Sequence, residues 1–122
     1  MDLVIGGKEY TLEFGLKFIN EMDNFYTVKR GGLEFGMGIE MAVSYIAMRN
    51  VTVIYNIIKA GTAHLKSKPS NQDIEAFLSE HAKNKTLEQL FSDIEEAMEK
   101  APFLEHKINL YKQKALIETE EE

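Results

Sequence analysis

The 122-residue sequence contains no cysteine. That excludes disulfide staples, thiolate metal sites and thiol nucleophiles. Tryptophan is also absent, and proline occurs only twice, at Pro69 and Pro102. Long apolar runs are missing. The most apolar stretch, 39–63, is interrupted by Glu40, Arg49, Asn50, Asn56 and Lys59, so no run approaches the roughly 18 apolar residues of a membrane span. Positive charge is in deficit: 14 Lys and Arg stand against 20 Asp and Glu, a net charge of -6. A duplex nucleic-acid binder normally carries a basic footprint, and this chain does not. The N-terminal segment has Asp2 and only three consecutive apolar residues, unlike a secretory signal. These absences predict a soluble, cytoplasmic protein with neither nucleic acid nor membrane as a partner.

What is present is ordinary globular composition, 44% apolar and 28% charged, in a chain the length of one domain. Residues 1–122 are therefore read as a single domain: a hairpin over 1–14, an apolar helical part over 15–64, an acidic helical part over 70–117, and an acidic tail over 118–122. Leu3–Ile5 and Glu9–Phe14 read as strands, since Tyr10, Leu12 and Phe14 alternate with Thr11 and Glu13. Gly6-Gly7 between them suits a tight turn with positive φ. Such a hairpin is marginal alone and must pack on the helices that follow.

Helical spacing predicts a helix over Leu16–Tyr26, with Phe18, Ile19 and Met22 on one face. Val28–Gly38 holds four glycines from Gly31 to Gly38 and reads as a loop with special backbone needs. Ile39–Met48 reads as a buried helix. Val51–Ala63 reads as another behind an Asn50 N-cap, although its β-branched content also suits a strand. His64–Pro69 is a polar connection. Ser70 then caps a short helix. Thr86-Leu-Glu-Gln89 forms a capping-box pattern ahead of a four-turn helix through Ala101. The last helix, Phe103–Ile117, carries two apolar stripes: Leu104, Ile108, Tyr111 and Ala115, and also Phe103, Leu110 and Ile117. The fold expected is α+β and mainly α, with an N-terminal β-hairpin packed on about five or six helices.

Several chemical motifs come close and fail. Gly31 and Gly36 have phosphate-loop spacing, but Met37 and Gly38 stand where Lys and Ser or Thr belong. Gly36-Met37-Gly38 opens a dinucleotide pattern that Met41 breaks, and no parallel βαβ unit surrounds it. Asn71, Asp73 and Glu75 resemble the start of a calcium loop, yet Ala76 and Ala82 replace its glycine and its bidentate glutamate. His64, His81 and His106 are isolated from one another. Glu95, Glu96 and Glu99 fit a solvated helix face, with Glu96 and Lys100 as an i, i+4 pair. No catalytic, metal or cofactor-binding set emerges, and the protein is expected not to be an enzyme.

Partner binding is the better candidate activity. The two stripes of the last helix make its apolar face wider than a peripheral helix needs. Phe103, Leu104, Ile108, Leu110 and Tyr111 are therefore candidate partner-binding residues. Met37, Met41 and Met48 join them if their helix is partly exposed, since Met surfaces suit adaptable binding. Replacing Leu104, Ile108 and Tyr111 by polar residues is expected to leave the fold intact and abolish partner binding.

The N-terminal VIGGKEYTLEFGLKFINEMD, GLEFGMGIEMAVSYI (Gly32 to Ile46), VIYNIIKAGTAH (Val53 to His64) and KPSNQDIEAFLSEH (Lys68 to His81) together resemble a tail assembly chaperone family of long-tailed phages and prophages of Gram-positive bacteria. The resemblance covers roughly residues 1–100. It implies a non-enzymatic protein made in the bacterial host cytoplasm and absent from the mature virion. Such a protein would coat the tape measure protein, keep it soluble, and help tail tube protein subunits polymerise around it, with possible self-association. It also implies a longer frameshifted product in many members. The alternatives are a small helical adaptor or regulatory protein, or a structural tail component retained in the virion.

Overall fold

The computed structural model describes the backbone of residues 1–121 and the side chains of residues 1–115. Two β-hairpins and six helices follow in the order ββαββααααα, so the chain is mainly α with some β. Strands β1 (Asp2–Ile5) and β2 (Lys8–Thr11) pair antiparallel, Ile5 opposite Lys8. Gly6 and Gly7 bridge them at φ +60° and +78°, the pair of positive values a type I′ turn requires. The second strand ends at Thr11, three residues earlier than the alternation predicts. Leu12 continues the same register by one more bond, its N–H donating to the Met1 carbonyl at 2.8 Å. There it is buried against Gly61, where a Cβ would lie 2.9 Å from Leu12 Cγ.

The glycine-rich segment is not a loop. After α1 (Leu16–Phe25), strands β3 (Thr27–Arg30) and β4 (Leu33–Gly36) form a second antiparallel hairpin. Gly31 and Gly32 turn it at φ +57° and +79°, repeating the geometry of the first. The hairpins differ in support. The first buries Ile5 and Tyr10, whereas every residue of β4 is exposed.

The last two glycines of the segment serve close packing. Space for a Cβ at Gly36 is taken by the Asp23 side chain, and at Gly38 by the backbone and side chain of Met22. Gly38 opens α2 (Gly38–Ala47), and its N–H donates to Asp23 Oδ1 at 2.9 Å. The first helix therefore caps the second across 15 residues of sequence, which satisfies one of the orphan N–H groups at that helix start.

Helix α3 (Val51–Gly61) forms despite its β-branched residues. Asn50 Oδ1 accepts from the Thr52 N–H at 2.9 Å, and Val53, Ile54, Ile57 and Ile58 are all buried. Ser70 Oγ accepts from the Asp73 N–H at 3.1 Å and starts α4 (Asn71–Lys83). The capping box before α5 (Leu87–Lys100) does not form. Thr86 bonds back to His81, Oγ1 to Nδ1 at 2.7 Å, while the Gln89 amide donates to Asp93 Oδ1 at 2.8 Å. The sequence pattern is present, but the hydroxyl has a nearer partner. Helix α6 (Pro102–Glu121) begins with proline at its first position, where a missing N–H costs nothing.

One hydrophobic cluster joins the apolar and acidic parts. Ile5, Phe18, Met22, Ile39, Ile46 and Ile57 meet Ile74, Ile94, Met98 and Leu104 in it. No helix among the described residues is long and apolar enough to cross a membrane.

Candidate partner-binding surfaces

The two stripes of α6 divide cleanly. Leu104 and Ile108 are 0% and 2% exposed and belong to the core. The expectation that both can be made polar with the fold intact is therefore corrected. Phe103 and Leu110, seven residues apart on the helix, are 60% and 43% exposed. Two turns separate them, about 10 Å along the axis. Tyr111 is half-buried and its hydroxyl shares a 2.7 Å hydrogen bond with Ser44 Oγ. Ile117 and the acidic run 118–122 lie outside the described side chains.

A polar seam runs beside those two buried residues. Lys107 Nζ lies 3.4 Å from Glu40 Oε2, one turn before the Ser44–Tyr111 bond. Lys112 pairs with Glu99 on α5. Glu40 Oε1 is buried with no hydrogen-bond partner, an acceptor placed so that the seam is under-satisfied on the α2 side. Apolar anchoring of α6 among the described residues is thus confined to its first two turns.

The methionines also divide. Met22 and Met98 are core residues. Met37 and Met41 are half-buried at the start of α2, and Met48, beyond its end, is 64% exposed. Sequence reasoning missed six further exposed apolar residues. Val4 lies on the first hairpin, Leu33 and Phe35 project from the second, Leu16 and Phe25 begin and end α1, and Val51 opens α3. The doubled glycine of Gly31-Gly32 was the available signal for the second hairpin.

A cleft of about 640 Å³ lies between α3 and α4, lined by Val51, Tyr55, Leu78, Ala82 and Leu87 with Glu75 on its wall. Another, of about 430 Å³, lies between the first hairpin and α4, with Asp73, Glu80, His81 and Phe77. His81 stacks edge-on to Phe77, ring centroids 4.7 Å apart. His64 sits 3.6 Å from Glu13, and His106 is exposed. No group of three or more metal-ligating side chains converges among the described residues.

Charge ties the helices at one corner. Arg49 follows α2 in the left-handed region at φ 56°, an uncommon conformation for a residue with a Cβ. Its Nη1 donates to the Ile46 carbonyl at 2.8 Å, and its Nε and Nη2 reach the two Glu88 oxygens at 2.8 and 2.7 Å. The same guanidinium lies 5.4 Å from the Phe91 ring centroid. The fork holds the Glu88 carboxyl below its usual range and raises Arg49 in return, both by that hydrogen bond first. Glu96 is lowered likewise by Lys100. These are structural ion pairs, and they perturb titration without a pocket around them.

What the surface offers, then, is exposed apolar side chains on both hairpins, on α1, α3 and α6, and at the end of α2. No solved structure and no curated protein sequence matches this chain. The profile of a family described as phage tail assembly chaperone protein, TAC, matches residues 2–112. With nearly the whole chain matched, from the first hairpin into α6, this protein belongs to the phage tail assembly chaperone family.

Proposed function

We propose that this chaperone binds the tape measure protein, keeps it soluble in the host cytoplasm, and promotes polymerisation of tail tube protein around it. The family match over residues 2–112 carries the reading. The surface is compatible with it. A coiled-coil-rich client exposes apolar seams that aggregate, and Phe103, Leu110 and Met48 are exposed apolar side chains on a chain of net charge -6. Net charge of one sign keeps a complex dispersed. In this reading Phe103 and Leu110 touch the client, together with Met48 and the accessible parts of Met37, Met41 and Tyr111. Leu104 and Ile108 position that face from beneath. The protein works as one unit, without catalytic chemistry, self-associates on its client, and leaves before the virion is complete.

Co-expression with a candidate tape measure protein tests the proposal. The tape measure protein is expected to move from the insoluble to the soluble fraction and to co-purify. A tape measure protein that stays insoluble and unbound, beside folded chaperone, overturns it. Mass spectrometry of purified virions separates an assembly factor from a structural component, because the latter is retained.

A further inference from the structure

Helix α6 is held unlike its neighbours. Each of the other helices adds a partly buried apolar side chain to the fully buried ones it gives the core: Ile19 on α1, Val43 on α2, Tyr55 on α3, Phe77 on α4 and Leu87 on α5. Among the described residues α6 adds none, and Leu104 and Ile108 are its whole apolar anchor. Beyond these, polar pairs tie it down: Lys107 with Glu40, Tyr111 with Ser44, and Lys112 with Glu99. Water replaces such pairs at little cost. Beside Lys107, Glu40 Oε1 is buried with no hydrogen-bond partner, and an uncompensated acceptor counts against the seated arrangement.

The joint lets α6 move as a unit. One residue, Ala101, extended at φ -72° and ψ 128°, separates α5 from Pro102. Proline has no N–H with which to continue the α5 ladder, so rotation about the Ala101 ψ lifts α6 without breaking a bond inside either helix. Beneath it lies a groove between α2 and α5. Val43 and Ile46 of α2, Met98 of α5 and Ile108 line a residual pocket of about 10 Å³ there. The helix that fills the groove carries a readable pattern. Leu104, Lys107, Ile108 and Tyr111 fall at i, i+3, i+4 and i+7, the spacing of heptad positions d, g, a and d, with the charge at g. Helix α6 therefore sits in the groove as one helix of a coiled coil would, apolar at i and i+4 and cationic toward Glu40.

We infer that the α2–α5 groove is a client site that α6 occupies in the free protein, and that an amphipathic helix of the tape measure protein displaces α6 from it. The entering helix presents its apolar d and a residues to Val43, Ile46 and Met98, and a Lys or Arg at g to Glu40. This is the helix-in-groove mode of recognition, with α6 holding the place of the partner. Phe103 and Leu110 are exposed on α6 and travel with it, so they still touch the client once the helix has turned outward. The inference rests on the client reading above and adds its regulation: the groove opens in exchange for a helix that matches α6.

Because the chain has no cysteine of its own, a thiol tether tests the inference cleanly. Glu99→Cys with Lys112→Cys in the full chain, bridged by a short bis-maleimide, ties α6 to α5. The bridged chain should keep its urea midpoint, yet capture the tape measure protein at least about tenfold more weakly than the same variant with each thiol capped singly, since only the open fraction binds. Lys107→Glu sets two carboxylates face to face and should speed amide exchange along α6. Capture should tighten by the same factor as the exchange, because apparent affinity scales with the populated fraction of the open form. Equal capture by bridged and capped chains overturns the inference, as does faster α6 exchange without tighter capture. Should Lys107→Glu fail to fold, the bridge alone decides. Failure of every folded form, bridged, capped or wild type, to capture the tape measure protein overturns the client reading and this inference with it, whereas capture that ignores the bridge overturns this inference alone.

Discussion

Asp23 and Gly38 are joined across two chain reversals, the Gly38 N–H donating to the Asp23 carboxylate at 2.9 Å. The second hairpin occupies the sequence between them, so the ribbon projects from a closed base. The bond is a helix cap supplied by a different helix. Asp23→Ala should lower stability by about 1 kcal/mol, as for other cap deletions. Gly38→Ala should cost more, about 1–3 kcal/mol, because its Cβ meets the Met22 backbone and neither can give way easily. Urea midpoints at unchanged slope would establish both.

The buried and exposed stripes of α6 are expected to separate stability from binding. Leu104→Ala and Ile108→Ala remove core side chains and should each cost about 2–5 kcal/mol. Phe103→Ser with Leu110→Ser should shift stability by no more than about 0.5 kcal/mol per site. That double variant should nevertheless reduce co-purification of the tape measure protein. If capture is unchanged while the urea midpoint holds, the client contact lies on another face.

Acid should loosen the Arg49–Glu88 corner in a defined direction. The Glu88 carboxyl is held below its usual range by the Arg49 hydrogen bond. Its contribution to stability is therefore present above the unfolded-state pKa and is lost as pH falls through the lowered folded-state value. Glu88→Gln should show a shallower loss of urea midpoint from pH 6 down to pH 3 than the wild type. Parallel curves would mean that exposure and solvent already cancel the pair. Arg49→Lys keeps the charge but loses the fork, so it should resemble Glu88→Gln at the acid end.

The paired glycine turns give a matched comparison. Gly6→Ala and Gly31→Ala force the same left-handed strain, about 1–2 kcal/mol in each case. Gly6→Ala should register in global stability, because its hairpin buries Ile5 and Tyr10 and a Cβ there would lie 2.7 Å from Asp73 Oδ2. Gly31→Ala should leave the urea midpoint nearly unchanged and speed amide exchange only within β3 and β4. Equal global losses would show that the second hairpin folds cooperatively with the core.

Much of this architecture was legible because its signals are local. Alternation around Tyr10, the Asn50 and Ser70 caps, and the 3.6-residue spacing of Leu90, Phe91, Ile94 and Met98 all report on a few neighbouring residues. The second hairpin was not, because glycines at 31, 32, 36 and 38 look alike in sequence but do different work. Two turn the ribbon and two make room for Met22 and Asp23. The Thr86 box failed for a related reason: His81 lies within reach only once α4 has ended. On α6 the sequence presents two stripes of equal promise, and only α2 and α5 decide which is buried.

The projecting ribbon has a consequence for cleavage. Lys29 and Arg30 stand at its tip, exposed, immediately before Gly31. Trypsin should therefore nick the folded chain there first, as it does at loop tips that open without global unfolding. The two pieces would stay together, since α1 and α2 remain interlocked through Met22, Asp23 and Gly38. A chain cut into 1–30 and 31–122 that still sediments as one particle would be a two-piece protein made from one gene, ready for exchange of either piece.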